Sequence, residues 1–138
     1  MSDIFREVEE DVRRERLEKF WKTYGDYVIA AVAAILLGVA AYVFWDKHQA
    51  AERAKAAIAF SDAQKIVDPA RAAAAYAKIA ATAPSGYARL ATMEEANALF
   101  VTGDRAKAIA LYKNVAAKDD GPVGGAARLR AGWAMADS

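Results

Sequence analysis

The stretch from Tyr27 to Trp45 constrains the fold most, because its nineteen residues carry no charge. Asp26 and Asp46 close its two ends. A helix rises about 1.5 Å per residue, so this stretch is close in length to the ~30 Å hydrocarbon core of a bilayer. The sequence therefore predicts one transmembrane helix over residues 27–45.

Aromatic residues flank this apolar segment on both sides. They are Phe20, Trp21, Tyr24 and Tyr27 at its start, and Tyr42, Phe44 and Trp45 at its end. Two such belts are typical of a spanning helix, whereas the buried helix of a soluble protein usually has only 10–14 apolar residues. Small residues at 38–40 allow the alternative of a cleaved signal peptide. The 26 residues before the segment are long and acid-rich, however, so an anchor is favoured.

Basic residues on the two flanks predict the orientation. Six precede the segment: Arg6, Arg13, Arg14, Arg16, Lys19 and Lys22. Three follow within a dozen residues: Lys47, Arg53 and Lys55. Since the flank richer in Lys and Arg stays in the cytoplasm, we expect residues 1–26 to be cytoplasmic and residues 46–138 to lie outside.

Composition disfavours several classes of function. The absence of cysteine excludes disulfides, thiol chemistry and thiolate metal sites, and a net charge of +1 gives no reason to expect nucleic acid as a partner. The single histidine, His48, has no candidate nucleophile close in sequence. We therefore expect no catalytic residue, no metal site and no cofactor.

The N-terminal arm, residues 1–26, is predicted to form a charged helix. Acid-first pairs four residues apart, such as Glu9 with Arg13, support it. Its apolar residues Ile4, Phe5, Val8 and Val12 share one face. Two interpretations stay open: the helix lies on the membrane surface beside the lipid bilayer, or this face docks on a partner protein.

Small residues recur along the apolar segment. Ala30, Ala34, Gly38 and Ala41 lie on one side of the predicted helix, and such a face lets another membrane helix approach closely. An alanine-rich chain also produces this pattern by chance. The segment has no ionisable residue, so it offers no proton relay or ion pathway.

The outer domain, residues 46–138, is predicted to be all-α. Turn and cap signals delimit helices at about 46–67, 69–83, 85–102, 105–118 and 123–135. Residues 75–81 resemble residues 111–117, and the Ala-Arg-Leu at 88–90 recurs at 127–129. A spacing of 36–39 residues between paired helices is typical of tetratricopeptide (TPR) repeats, so we expect a TPR-like helical-hairpin domain.

The hairpins are expected to pack small residues against bulky ones. The small residues are Ala74, Ala77, Ala91 and Ala108, and the bulk comes from Tyr76, Ile79, Leu90, Leu99, Phe100, Ile109, Leu111 and Val115. Ala51, Ala54 and Ile58 are expected to form the apolar side of the first outer helix. The last helix carries Trp133, which would be partly exposed unless a partner covers it.

The layout resembles the YfgM-like family of bacterial inner-membrane proteins. The similar pieces are the apolar segment, the exit Phe44–Ala50 and the Ser-Gly-Tyr-Ala-Arg-Leu-Ala run at 85–91, and the charged arm looks like that of alphaproteobacterial members. The resemblance implies a cytoplasmic N-terminus, one membrane span and a periplasmic TPR domain. It also implies an ancillary role at the SecYEG secretion translocon, together with periplasmic chaperones.

Two functional hypotheses follow, with an enzyme ranked last. The first is an interaction module at the translocon exit, which holds unfolded clients or recruits chaperones through a groove lined by residues 70–118. The second is a structural accessory subunit of a respiratory or photosynthetic core complex. In that case the Ala30/Ala34/Gly38 face packs beside the core, where a lone helix can interrupt a ring of neighbours and leave a quinone passage.

Overall fold

A computed structural model describes residues 2–137 of the chain. These residues form five α-helices: α1 (Ser2–Gln64), α2 (Pro69–Thr82), α3 (Ser85–Thr102), α4 (Arg105–Lys118) and α5 (Pro122–Ala136). The expectation of an all-α fold is therefore confirmed. The chain divides into two compact units, residues 1–47 and residues 48–138.

In the first unit, α1 runs through the charged arm and the apolar segment without a break, because a single glycine, Gly25, costs a helix only about 1 kcal/mol. The most apolar window of α1 has a mean hydropathy of 2.5, and none of it is buried. This helix is long and apolar enough to cross a membrane. Length and composition alone are weak evidence for a span, since soluble core helices and signal sequences can share them.

The second unit begins with the last turns of α1, which stop earlier than the predicted residue 67. The chain turns after Gln64, where the amides of Lys65 and Ile66 donate to carbonyls three residues back. Asp68 then caps α2, accepting a 3.0 Å bond from the amide of Ala70, and Pro69 takes the first helical position. A capping carboxylate and a proline without an N–H both suit a helix start.

Gly103 ends α3 in the left-handed conformation, with φ at 94°. Its amide donates to Phe100, and the next amide, Asp104, donates to Leu99 over 2.9 Å. Glycine adopts this conformation without the steric penalty that a Cβ brings. The Asp104 side chain then caps α4, so α3 and α4 reverse direction over two residues.

The helices of the second unit pack in sequence around two cores. One core contains Ala63, Ala72, Tyr76, Ile79 and Ala91. The other contains Met93, Ala96, Ala108, Tyr112, Val115, Ala127, Ala131 and Ala134. Tyr76 with Tyr112, and Ile79 with Val115, are both buried pairs separated by 36 residues, so the repeat detected in the sequence is a repeat of core positions.

Several core assignments were wrong in detail. Ala74 is exposed and Leu90 is 41% exposed, whereas Ala72 and Ala73 are buried. Ala51, Ala54 and Ile58 are also exposed. The last turns of α1 bury Ala56 and Ala63 instead, and Phe60 packs on Tyr76 with ring centres 5.4 Å apart. The helical period was correct, but the buried face was chosen on the wrong side, because alanine on every face leaves the side undetermined.

Candidate interaction surfaces

The residues predicted to bind partners in the first unit are all exposed. Ile4, Phe5, Val8 and Val12 are 66%, 75%, 56% and 44% exposed. Ala30, Ala34, Gly38 and Ala41 are exposed as well, and a Cβ added at Gly38 would meet nothing within 4 Å. Both sets are therefore accessible to a partner, and their roles stay predictions.

Trp133, the docking residue predicted in the second unit, is 70% exposed on α5. It borders a groove of about 780 Å³ between α3 and α5, which we call the α3–α5 groove. Its apolar lining includes Phe100, Val101, Leu129 and Trp133. Val101 and Leu129 are 72% and 58% exposed, so the groove presents an open apolar surface.

A hydrogen-bonded cluster forms the polar part of this groove. The Tyr112 hydroxyl donates to the side-chain oxygen of Asn97 over 2.6 Å, and the Arg130 guanidinium donates to the same oxygen. The Asn97 amide in turn donates to Glu94 over 3.3 Å. Burial raises the pKa of Tyr112 above its usual value. The hydroxyl therefore stays protonated at neutral pH and holds Asn97 in place.

A second cation, Arg105, is already engaged near the end of the groove. Its guanidinium lies 5.2 Å from the centre of the Phe100 ring and pairs with the Asp137 carboxylate over 3.3 Å. Arg105 also donates to the backbone carbonyl of Asp137. These contacts fasten the start of α4 to the end of α5, and they leave Arg105 with less capacity for a ligand.

A separate cavity of about 830 Å³ lies where the α2–α3 turn meets the loop before α5. Its lining includes His48, Arg53, Ser85, Tyr87, Arg89 and Asp119. Arg89 donates to Asp119 over 2.8 Å, and the Gly121 amide donates to the other carboxylate oxygen over 2.6 Å. These bonds lower the pKa of Asp119, chiefly through Arg89. The main task of this pair is structural, because it joins α3 to the loop that starts α5.

The sequence analysis missed this pair, since its members are 30 residues apart. A signal was present in the repeated Ala-Arg-Leu. The second arginine, Arg128, also binds this loop, donating to the carbonyls of Ala116 and Asp119 and pairing with Asp120. Arginines in the opening turns of α3 and α5 therefore hold the same connection from two sides.

Within residues 2–137, no group of three or more histidine, aspartate or glutamate side chains could hold a metal ion. His48 takes part in no hydrogen bond or ion pair among the described residues. Its environment thus provides no general base with a placed partner, which acid–base catalysis requires.

The model of the tetratricopeptide repeat-like domain family matches residues 18–136. The chain belongs to this family. No curated protein and no solved structure matches the chain significantly. Domains of this kind are typically non-catalytic modules for protein–protein interaction, and the family therefore indicates protein partners for this chain.

Proposed function

We propose that this chain is a non-catalytic, single-pass protein of the bacterial inner membrane. In this proposal residues 1–26 lie in the cytoplasm, residues 27–45 span the bilayer, and residues 46–138 bind partner proteins in the periplasm. The observation that carries the proposal is the exposed apolar length of α1, since Ile29, Ile35, Leu36, Leu37 and Phe44 are each 62–75% exposed.

The energetics of apolar surface support a lipid environment for this segment. Burying apolar area is worth about 25 cal/mol per Å², and soluble monomers rarely expose continuous apolar patches larger than a few hundred Å². A nineteen-residue run that is apolar on every face far exceeds such a patch. A bilayer covers all faces at once, which one protein partner on one face would not do.

The family supports a binding role for the outer domain, and the resemblance to YfgM-like proteins suggests the setting. We place the domain at the periplasmic exit of the secretion translocon, where it contacts periplasmic chaperones or emerging chains. The open apolar surface around Leu129 and Trp133 supports contact with a protein. The mixed charges of the second unit give no support for nucleic acid.

One observation favours the alternative of an accessory subunit in a respiratory or photosynthetic core complex. The face of Ala30, Ala34, Gly38 and Ala41 is uncovered, and Gly38 has open space beside it. Close packing on such a face stabilises helix pairs in lipid, where no hydrophobic effect drives association. In this alternative the membrane helix provides the interface and the outer domain tolerates substitution.

The test is purification of the tagged chain from its own membranes in mild detergent, followed by mass spectrometry. We expect translocon subunits and periplasmic chaperones at constant ratios. A stoichiometric respiratory or photosynthetic complex would replace the proposal with the alternative. A chain that stays in the soluble fraction would contradict both.

Two variants assign the interface in the same experiment. Gly38→Ile fills the small-residue face, and Ala40→Ile adds similar bulk about 160° around the helix. In the translocon proposal both variants keep their partners. Loss of the complex with Gly38→Ile alone would favour the accessory-subunit alternative. Neither substitution meets a contact that would destabilise the chain, because both positions are exposed.

A further inference from the structure

Helix α5 is apolar on two opposite faces. One face packs into the core through Ala127, Ala131 and Ala134. The other carries Leu129 and Trp133, four residues apart and 58% and 70% exposed. A helix that is apolar on both sides is normally covered on both sides. The exposed side of α5 therefore has the pattern of a binding surface.

Stacking of another hairpin in the manner of α4 would not cover this surface. Helix α4 packs on α3 at Met93 and Ala96. The positions 39 residues later, the offset of the Ala-Arg-Leu repeat, are Gly132 and Met135 rather than Leu129 and Trp133. The counterpart of Leu129 is Leu90, which is 41% exposed although α4 follows it. The surface thus lies to the side of the stacking direction, which points to an occupant other than a repeat.

The charge around the α3–α5 groove is one-sided. Helices α4 and α5 contain six basic residues and no acidic residue within their bounds. Arg105 and Arg128 are paired with Asp137 and Asp120. Arg130 lines the groove and donates to the neutral oxygen of Asn97, and no carboxylate among residues 3–137 pairs with it. A guanidinium with free donors, held beside an apolar surface, is suited to bind a carboxylate.

We propose that the α3–α5 groove binds an amphipathic helix of a partner protein, with apolar side chains against Val101, Leu129 and Trp133 and a carboxylate on Arg130. This inference rests on the proposed function and deepens it by naming the site and the chemistry of the partner. The 780 Å³ groove runs between two helices, and a third helix with anchors at i, i+3, i+4 and i+7 fits such a surface. The carboxylate fixes the register, and the apolar anchors supply most of the affinity.

The test uses the full chain in nanodiscs of zwitterionic lipid and two fluorescent helical peptides. Both peptides carry leucine at i, i+3, i+4 and i+7. One has glutamates beside the leucine stripe, and the other has lysines at the same positions. Fluorescence anisotropy measures binding, and empty nanodiscs measure the partition of each peptide into lipid. The wild-type chain is expected to prefer the glutamate peptide by at least about tenfold.

Two variants locate the site. Trp133→Ala is expected to weaken binding of the glutamate peptide about thirtyfold, as loss of a central aromatic anchor does. Val67→Ala is the matched control, because Val67 is 95% exposed and lies outside the groove, and it should bind as the wild type does. Arg130→Glu should reverse the preference, so that the lysine peptide binds more tightly than the glutamate peptide. Circular dichroism checks that each variant keeps its helical content.

Three results would overturn the inference. The first is unchanged binding by Trp133→Ala, and the second is a continued preference for the glutamate peptide by Arg130→Glu. The third is a wild-type dimer in native mass spectrometry that Trp133→Ala converts to monomer, which would assign the surface to a second copy of the chain. If the tagged chain still purifies with translocon subunits in any of these cases, only the groove assignment fails. If it purifies with no membrane complex, the proposed function fails as well.

Discussion

The two units treat apolar surface in opposite ways. In residues 27–45 the large side chains face outward, and Leu36 and Leu37 are 64% and 71% exposed. In residues 48–138 two tyrosines, Tyr76 and Tyr112, are only 6% and 3% exposed. The second unit is therefore stabilised by its own packing, whereas the first needs a surrounding that accepts apolar groups on all sides.

This difference teaches that hydropathy and burial carry separate information. The second unit is also rich in alanine, but its alanines let helices approach, and Ala91, Ala96, Ala108 and Ala127 are fully buried. The same residue type at Ala30 and Ala34 contacts nothing large and stays exposed. Alanine marks close packing only where a second helix of the chain is available to pack against it.

The largest expected effect comes from placing a charge in each unit at equally exposed positions. Leu36→Arg should lower membrane insertion by about 100-fold, because a central arginine costs roughly 2.5–3.5 kcal/mol in a bilayer. Ile58→Arg is the matched control, since Ile58 is 65% exposed and Leu36 is 64% exposed. Extraction of membranes with alkaline carbonate measures the integrated fraction. Equal extraction of the two variants would mean that residues 27–45 do not lie in lipid.

A smaller effect is expected from adding one methyl group at adjacent glycines of α5. A Cβ at Gly124 would lie 1.7 Å from the backbone oxygen of Asp119, whereas a Cβ at Gly125 would meet nothing within 4 Å. Gly124→Ala should therefore lower the free energy of unfolding of the second unit by at least about 1–3 kcal/mol, the usual cost of overpacking. Gly125→Ala should raise it by about 0.4–1 kcal/mol, because alanine restricts the unfolded chain.

The same substitution in the first unit sharpens the comparison. Gly38→Ala should leave the second unit's unfolding midpoint unchanged, since the position is open and lies outside its core. Urea denaturation of the full chain in nanodiscs, followed by circular dichroism, gives all three values. If Gly124→Ala unfolded at the same urea concentration as Gly125→Ala, the close contact of α5 with the preceding loop would be wrong.

The sequence predicted the helices well and the interfaces poorly, for physical reasons. Helix starts and ends depend on neighbouring residues, so Asp68-Pro69, Gly103-Asp104 and Gly121-Pro122 identified them to within a few residues. The choice of buried face depends on distant residues. Ile58 and Leu90 were assigned to the core because they are bulky, yet both are exposed, while the smaller Ala56 and Ala91 are buried.

The candidate site divides in the same way. Trp133 stands out in sequence because tryptophan is large and follows a turn-rich stretch, and its exposure could be anticipated. Its setting could not, because the α3–α5 groove joins residues up to 40 positions apart, from Asn97 to Asp137. The Arg130–Asn97–Tyr112 cluster likewise comes from three helices. No local pattern specifies such a meeting, since it follows from the packing of the hairpins.

The smallest expected effect concerns acid and the Arg89–Asp119 pair, which has no counterpart in the first unit among the described ion pairs. The pKa of Asp119 is lowered in the folded chain from an ordinary value of 3.8. The pair therefore contributes its full stability above about pH 4 and loses it as the pH falls below 3.8 and through the folded pKa, because the unfolded chain then binds the proton more readily. Asp119→Asn keeps an oxygen for the Gly121 amide and removes only the charge. We expect it to lower the unfolding midpoint at pH 7 slightly, since Arg89 is 40% exposed, and to match the wild type near pH 2. A difference between the two chains that stays constant from pH 7 to pH 2 would show that the charge on Asp119 does not stabilise the connection between α3 and α5.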